Sequence, residues 1–136
     1  MNAPINDLLF VYGSLRHNSN HPLARHLREQ AKWLGIAEFC GRLFEVDIYP
    51  GAVPSNEPAH RIFGGLYRLH EPARILPLLD SYEEFGNEFA EPNEFVRELR
   101  QVLMNDRPLF SWIYLYNHPT NNLTPLGHDY TPPVQD

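Results

Sequence analysis

A chain of 136 residues, 43% hydrophobic and 12% aromatic, is long enough to bury roughly two-thirds of the surface its unfolded form exposes, as one domain without covalent staples. Its formal charge of −6 excludes a general nucleic-acid binder, which needs a concentrated basic face, and no apolar run reaches bilayer length. A lone cysteine rules out an intramolecular disulfide, and 13 prolines against 2 methionines predict a loop-rich α+β fold.

Met1 to Asp7 has neither a basic nor an apolar leader region, so a cytoplasmic location is expected. Leu8-Leu9-Phe10-Val11 is a short apolar run that predicts a buried strand, and Tyr12-Gly13-Ser14-Leu15-Arg16 opens into a turn. Gly13 permits a positive φ or a close ligand approach, Ser14 offers a hydroxyl, and successive N–H groups of such a turn can converge on an anion. Alone, such a stretch is more often a strand end than a site. Arg16, Arg25, Arg28 and Lys32 cluster nearby, so a local anion site is compatible with the acidic total.

His17 to Pro22 reads as a polar loop, with Ser19 or Asn20 capping a helix that starts near Pro22 and runs to about Lys32. From Trp33 to Asp47 short apolar groups are interrupted by Gly35 and Gly41, the pattern of strands bent by bulges in a small coiled sheet or barrel. Cys40 falls within this stretch and is expected to be a small buried hydrophobe. Tyr49-Pro50-Gly51 is a turn signal, and Pro54 to Pro58 a polar loop.

Arg61 to Leu69 is strand-like around Gly64-Gly65. Its Arg, Phe, Gly and Tyr superficially suggest an RNA-recognition strand, but the spacing is loose and the charge wrong. Glu71-Pro72 starts a second helix, with a kink or restart expected at Pro77. Ile75, Leu79 and Tyr82 share one face, and Asp80 with Glu83 or Glu84 a neighbouring one. Phe95–Leu103 and Leu109–Tyr116 flank a compact turn and predict a hairpin, its second strand central because it is apolar at nearly every position. Residues 1–117 form the domain, and 118–136 a proline-rich tail that packs on it or frays.

Three features carry a resemblance: the Tyr12-Gly13-Ser14-Leu15 turn, the Tyr49-Pro50-Gly51 turn, and Leu79-Asp80-Ser81-Tyr82-Glu83 followed by the Phe95-Val96-Arg97 strand. In that order and spacing the chain, from Leu8 to about Tyr116, resembles the gamma-glutamylcyclotransferase-like superfamily, in particular its small gamma-glutamylamine cyclotransferase branch. The resemblance implies a compact mixed β-barrel with a few flanking helices. It also implies a cleft into which the Tyr-Gly-Ser-Leu loop and one essential glutamate point. That glutamate, closing a Leu-Asp-x-x-Glu motif, is Glu83 here, while Tyr12, Gly13, Ser14, Leu15 and Arg97 take the substrate-binding positions. The implied reaction is intramolecular: the free α-amine of a γ-glutamyl group attacks its own γ-carbonyl, closing 5-oxoproline and releasing an amine.

The residue types suit that chemistry. A carboxylate within reach can take the ammonium proton and return it to the leaving amine, and fixed backbone dipoles can hold a developing oxyanion. Nucleophile and carbonyl belong to one molecule, so the protein mainly selects a folded-back conformer. No cofactor or metal is expected, the partner is a small γ-glutamyl compound, and neither nucleic acid nor membrane is. The seven histidines show no zinc-type spacing, Ser14 lacks the Gly-x-Ser-x-Gly context of a triad nucleophile, and oligomeric state has no sequence signal. Two departures stand out: many relatives have glycine where this chain has Glu84, and tyrosine where it has Phe95. They leave a non-catalytic, ligand-binding member of the same fold as the alternative reading.

Overall fold

The computed structural model describes residues 6–12, 22–46 and 49–127. In chain order these form β1 (Leu8–Val11), α1 (Pro22–Gln30), β2 (Ala31–Val46), β3 (Tyr49–Pro54), β4 (Arg61–Leu69), α2 (Pro72–Tyr82), β5 (Phe95–Met104), β6 (Arg107–Tyr116) and β7 (Thr124–Pro125). The strand order β2-β4-β1-β6-β5 closes on itself where Glu38 and Phe39 of β2 meet Leu103 and Val102 of β5. The result is a five-stranded barrel with β3 and β7 outside it. It is mixed because β1 runs parallel to β6 while its other ladders are antiparallel. This is the α+β barrel with flanking helices that the resemblance implied.

Alternation along the strands divides the apolar residues into two cores. One face of each strand fills the barrel, with Phe10, Phe39, Ile62, Leu66, Val102 and Ile113 all nearly inaccessible. The opposite faces carry Leu9, Val11, Tyr67, Leu69 and Tyr114, against which Leu27 of α1 and Ile75, Leu76 and Leu79 of α2 pack. Leu27 is fully buried, and truncating such a residue to alanine costs about 2–5 kcal/mol. No helix among the described residues is long and apolar enough to cross a membrane.

β2 is the longest element, and its two interruptions have physical roles. At Gly35 the register against β4 shifts, and the residue takes φ +139°, a value that L side chains rarely adopt. At Gly41 the strand leaves β4 and takes β3 as its partner from Gly41↔Pro54 to Val46↔Tyr49. The bends expected from the glycines are therefore present, within one continuous strand.

Several expectations are corrected. Tyr49-Pro50-Gly51 is not a turn but the start of β3, where proline is tolerated because β3 ends the sheet path. α1 stops at Gln30, and Ala31 is already in β2; its cap region, residues 17–21, lies outside the described residues. α2 does not restart at Pro77 but continues as one helix to Tyr82, because the buried Ile75, Leu76 and Leu79 hold it to the barrel on both sides of the missing N–H. Tyr82 is exposed rather than in the core. Cys40 is exposed too, its thiol directed at the carbonyls of Ser55 and Glu57; it alternates with the inward Phe39, which takes the core position.

The β5–β6 hairpin turns on Asn105-Asp106 alone, both at positive φ (52° and 63°), the backbone of a two-residue type I′ turn. As expected, β6 is central, between β1 and β5. Within the segment read as a tail, Thr124 and Pro125 pair with Glu45 and Phe44 of β2, and the Leu126 N–H donates to the Leu43 carbonyl.

Candidate active site

The C-terminal turn of α2 sits against the start of β5 and the end of β6, where Asp80 meets Arg97 and Tyr114. That turn is closed by a Schellman arrangement in which the Glu84 N–H donates to the Ser81 carbonyl (3.2 Å) and the Phe85 N–H to the Asp80 carbonyl (2.8 Å). Glu84 occupies the left-handed position of this motif, φ 55°, the conformation in which glycine is least strained. That accounts for glycine at this position in many proteins of the resembling superfamily. Glu84 itself is exposed, so the adjacent carboxylates have different surroundings.

Glu83 is the helix's C-terminal cap, with φ −84° and its N–H bonded to the Leu79 carbonyl (2.9 Å). Burial, and secondly the Glu94 carboxylate, push its pKa up to about 7. The partial negative charge of the helix C-terminus acts in the same direction. A carboxyl in this range exchanges its proton near neutral pH, as an acid–base group requires.

Tyr12 lies at the end of β1. Its hydroxyl donates to the Tyr114 carbonyl and accepts from the Ala52 N–H (3.1 Å), tying the chain just after β1 to β6 and β3. Burial, above all, raises its pKa, and the Glu83 charge adds to the rise. Gly51 makes the approach of β3 possible: a Cβ there would stand 2.9 Å from both Tyr116 Cβ and Val46 Cγ2. Gly13, Ser14 and Leu15 lie outside the described residues.

Arg97, expected to face substrate, is held in a bidentate pair with Asp80, Nε to Oδ1 at 2.7 Å and Nη2 to Oδ2 at 3.0 Å. The Tyr114 hydroxyl donates to the same Asp80 Oδ1 at 2.7 Å. Trp112 stacks on the guanidinium, 4.3 Å from ring centroid to Cζ, and its Nε1–H donates to the Asn6 carbonyl at 2.9 Å. Burial raises the pKa of Tyr114, and its bond to Asp80 adds to this, so the phenol stays a donor.

The structure describes three of the residues named from sequence, Glu83, Tyr12 and Arg97, and joins Arg97 to Asp80 and Tyr114, which the sequence reading did not name as site residues. The signal was in the hairpin register: Arg97 lies opposite Tyr114, and Leu99 opposite Trp112, which puts one cation, one phenol and one indole on a single sheet face. Asp80 falls one turn before Glu83, on the same side of α2. A groove of about 220 Å³ elsewhere, lined by Ile36, Glu38, Phe63, Leu103, Asn105 and Asp106, contains none of these groups.

The class to which this barrel belongs is shown by comparison with known proteins. The family model described as "Gamma-glutamyl cyclotransferase, AIG2-like" matches residues 9–132. Over 116 residues the chain is 33% identical to the Gamma-glutamylcyclotransferase family protein YtfP of Escherichia coli K12, covering 85% of this chain and 87% of that protein. The solution structure of ytfP from Escherichia coli superposes with a TM-score of 0.59 at 28% identity, covering 90% of this chain and 92% of the other. The crystal structure of an aig2-like protein from Mus musculus superposes with a TM-score of 0.69, covering 92% of this chain and 88% of the other; at 20% identity it supports the fold. The chain belongs to the gamma-glutamyl cyclotransferase, AIG2-like family. At the level of that family it is a cyclotransferase-type enzyme.

Proposed function

We propose that this protein releases 5-oxoproline from a small γ-glutamyl compound, with Glu83 as the general acid–base. The observation that carries the reading is the burial of Glu83 at the end of α2, which moves its pKa to about 7 in a chain of this family. In the ionised form Glu83 takes a proton from the substrate α-ammonium. The amine nitrogen attacks the γ-carbonyl, forming the ring C–N bond and an oxyanion that backbone N–H groups of the Tyr12 to Leu15 loop stabilise. Collapse breaks the bond to the leaving nitrogen as Glu83 returns the proton to it, and the surplus proton on the ring nitrogen passes through the freed carboxylate to the released amine, which departs as an ammonium. The products are 5-oxoproline and an amine, and no water is consumed.

The test is a panel of γ-glutamyl-alanine, a γ-glutamyl alkylamine and ε-(γ-glutamyl)-lysine, followed by 5-oxoproline release without added metal or nucleotide. Turnover of at least one member is expected. Saturable binding of the panel without turnover would instead identify a ligand-binding member of the fold.

A further inference from the structure

Asp80 lies one turn before Glu83, and among the described residues its carboxylate makes its polar contacts with the barrel strands. Oδ1 accepts from Arg97 Nε and from the Tyr114 hydroxyl, both at 2.7 Å, and Oδ2 accepts from Arg97 Nη2 at 3.0 Å. The pair is largely shielded, with side-chain exposures of 19% for Asp80 and 17% for Arg97. The far side of the guanidinium is covered by Trp112, which is itself tied to Asn6. Through its main chain, Asp80 also accepts the Phe85 N–H that closes the helix end. One residue therefore holds the last turn of α2 from both sides: its side chain fastens that turn to β5 and β6, and its carbonyl fixes the turn's outgoing chain.

Glu83 ends that same turn. Its own N–H donates to the Leu79 carbonyl, and its neighbour Glu84 sits in a strained left-handed conformation. An unanchored helix end would fray, and a carboxyl displaced by about 1 Å from its substrate can lose on the order of 100-fold in rate. We propose that Asp80 is a positioning residue: through Arg97 and Tyr114 it docks the C-terminal turn of α2 on the β5–β6 hairpin and so sets where the Glu83 carboxyl points. This rests on Glu83 being the acid–base group. It leaves Arg97 oriented by Asp80 rather than committed to substrate.

The experiment measures kcat and KM separately, using the panel member that the parent turns over fastest. Asp80→Asn keeps the shape and one acceptor but loses the charge that binds Arg97 in bidentate fashion. It is expected to lower kcat about 10- to 100-fold with KM within about threefold, while the far-UV circular dichroism stays that of the parent. Tyr114→Phe removes a single donor to Asp80 and is expected to lower kcat several-fold; it serves if Asp80→Asn does not fold. Asp80→Glu, which restores the charge, should recover part of the lost kcat. If Asp80 acts through Glu83, Asp80→Asn should add no further loss in a Glu83→Gln background.

Parental kcat in both Asp80→Asn and Tyr114→Phe, with Glu83→Gln inactive, would overturn the positioning role and leave the base assignment standing. A rise in KM with kcat unchanged would overturn it too, by showing that the network binds substrate. An active Glu83→Gln would instead remove the base, a separate failure.

Discussion

Two regions of the barrel hold similar side chains in contrasting ways. In the loop between β3 and β4, Ser55 Oγ lies 2.7 Å from His60 Nδ1, His60 Nε2 is 3.7 Å from a Glu57 carboxylate oxygen, and the Glu57 N–H donates to Ser55 Oγ at 3.1 Å. Hydroxyl, imidazole and carboxylate stand in a row there, but within six residues of chain and with Glu57 exposed. Solvent screens such a pair, and its bonds mainly shape the turn. At the α2 end a carboxylate, a guanidinium and a phenol come from three elements far apart in sequence and are shielded from water. The contrast teaches that residue types in contact do not make a site. Shielding and long-range assembly give each charge consequences for its neighbours.

The largest effect expected at the α2 end is on rate. Glu83→Gln keeps the size and removes the base, so kcat should fall by about 10²- to 10⁴-fold while substrate binding persists, as read by single-turnover kinetics and a binding isotherm. Glu57→Gln, in the exposed row, should leave kcat unchanged. Equal losses in the two variants would erase the distinction between the regions.

Stability should separate them next. Arg97→Met leaves the Asp80 carboxylate shielded without its cation and is expected to destabilise the fold by about 3 kcal/mol in denaturant unfolding. Glu57→Ala breaks an exposed contact and should change stability by less than about 0.5 kcal/mol. A small loss for Arg97→Met would mean that water reaches the pair.

The pH dependence sharpens the contrast further. The pKa of Glu83 is raised in the folded state, so between about 4.5 and about 7 the native chain binds more protons than the unfolded one. Stability attributable to this group is thus present below about 4.5 and lost as pH rises through about 7, by roughly 3 kcal/mol in total. The same ionisation makes the base available, so kcat/KM should rise with pH through about 7. Glu83→Gln should abolish this stability slope and be more stable than the parent at pH 8, as thermal melts across the range would show.

The smallest effect concerns the residue next door. Glu84→Gly relieves a left-handed φ of 55° and should stabilise the protein by about 1 kcal/mol while leaving most of kcat in place. A rise in stability with activity retained would confirm that the two adjacent glutamates divide strain and chemistry between them.

What was legible in the sequence follows from how local each signal is. The apolar runs of β1, β4 and β6, the proline at the start of α2 and the spacing from Leu79 to Glu83 depend on near neighbours, and each appears where expected. Tyr49-Pro50-Gly51 was misleading because a proline's turn signal is overridden when its strand pairs through one edge only. Cys40 was misread because Gly35 shifts the register before it and so decides which of Phe39 and Cys40 turns inward. The Asp80–Arg97–Tyr114 network joins residues 17 and 34 positions from Asp80. No periodicity covers such distances, so only the folded register brings the three together.

The seam where β2 meets β5 bears on the order in which the molecule assembles. The β5–β6 hairpin and the β2–β3 ladder join neighbours in the chain, and such local pairings form early. Glu38↔Leu103 and Phe39↔Val102 join residues 65 and 63 positions apart for only two paired positions, so loop-closure entropy delays them. α2 is the link between the unit containing β4 and the hairpin of β5 and β6. Its last turn finds Arg97 and Tyr114 only when those units meet. With Glu83 as the proposed acid–base group, the site is expected to be completed only once the barrel closes, in a chain that already has most of its secondary structure.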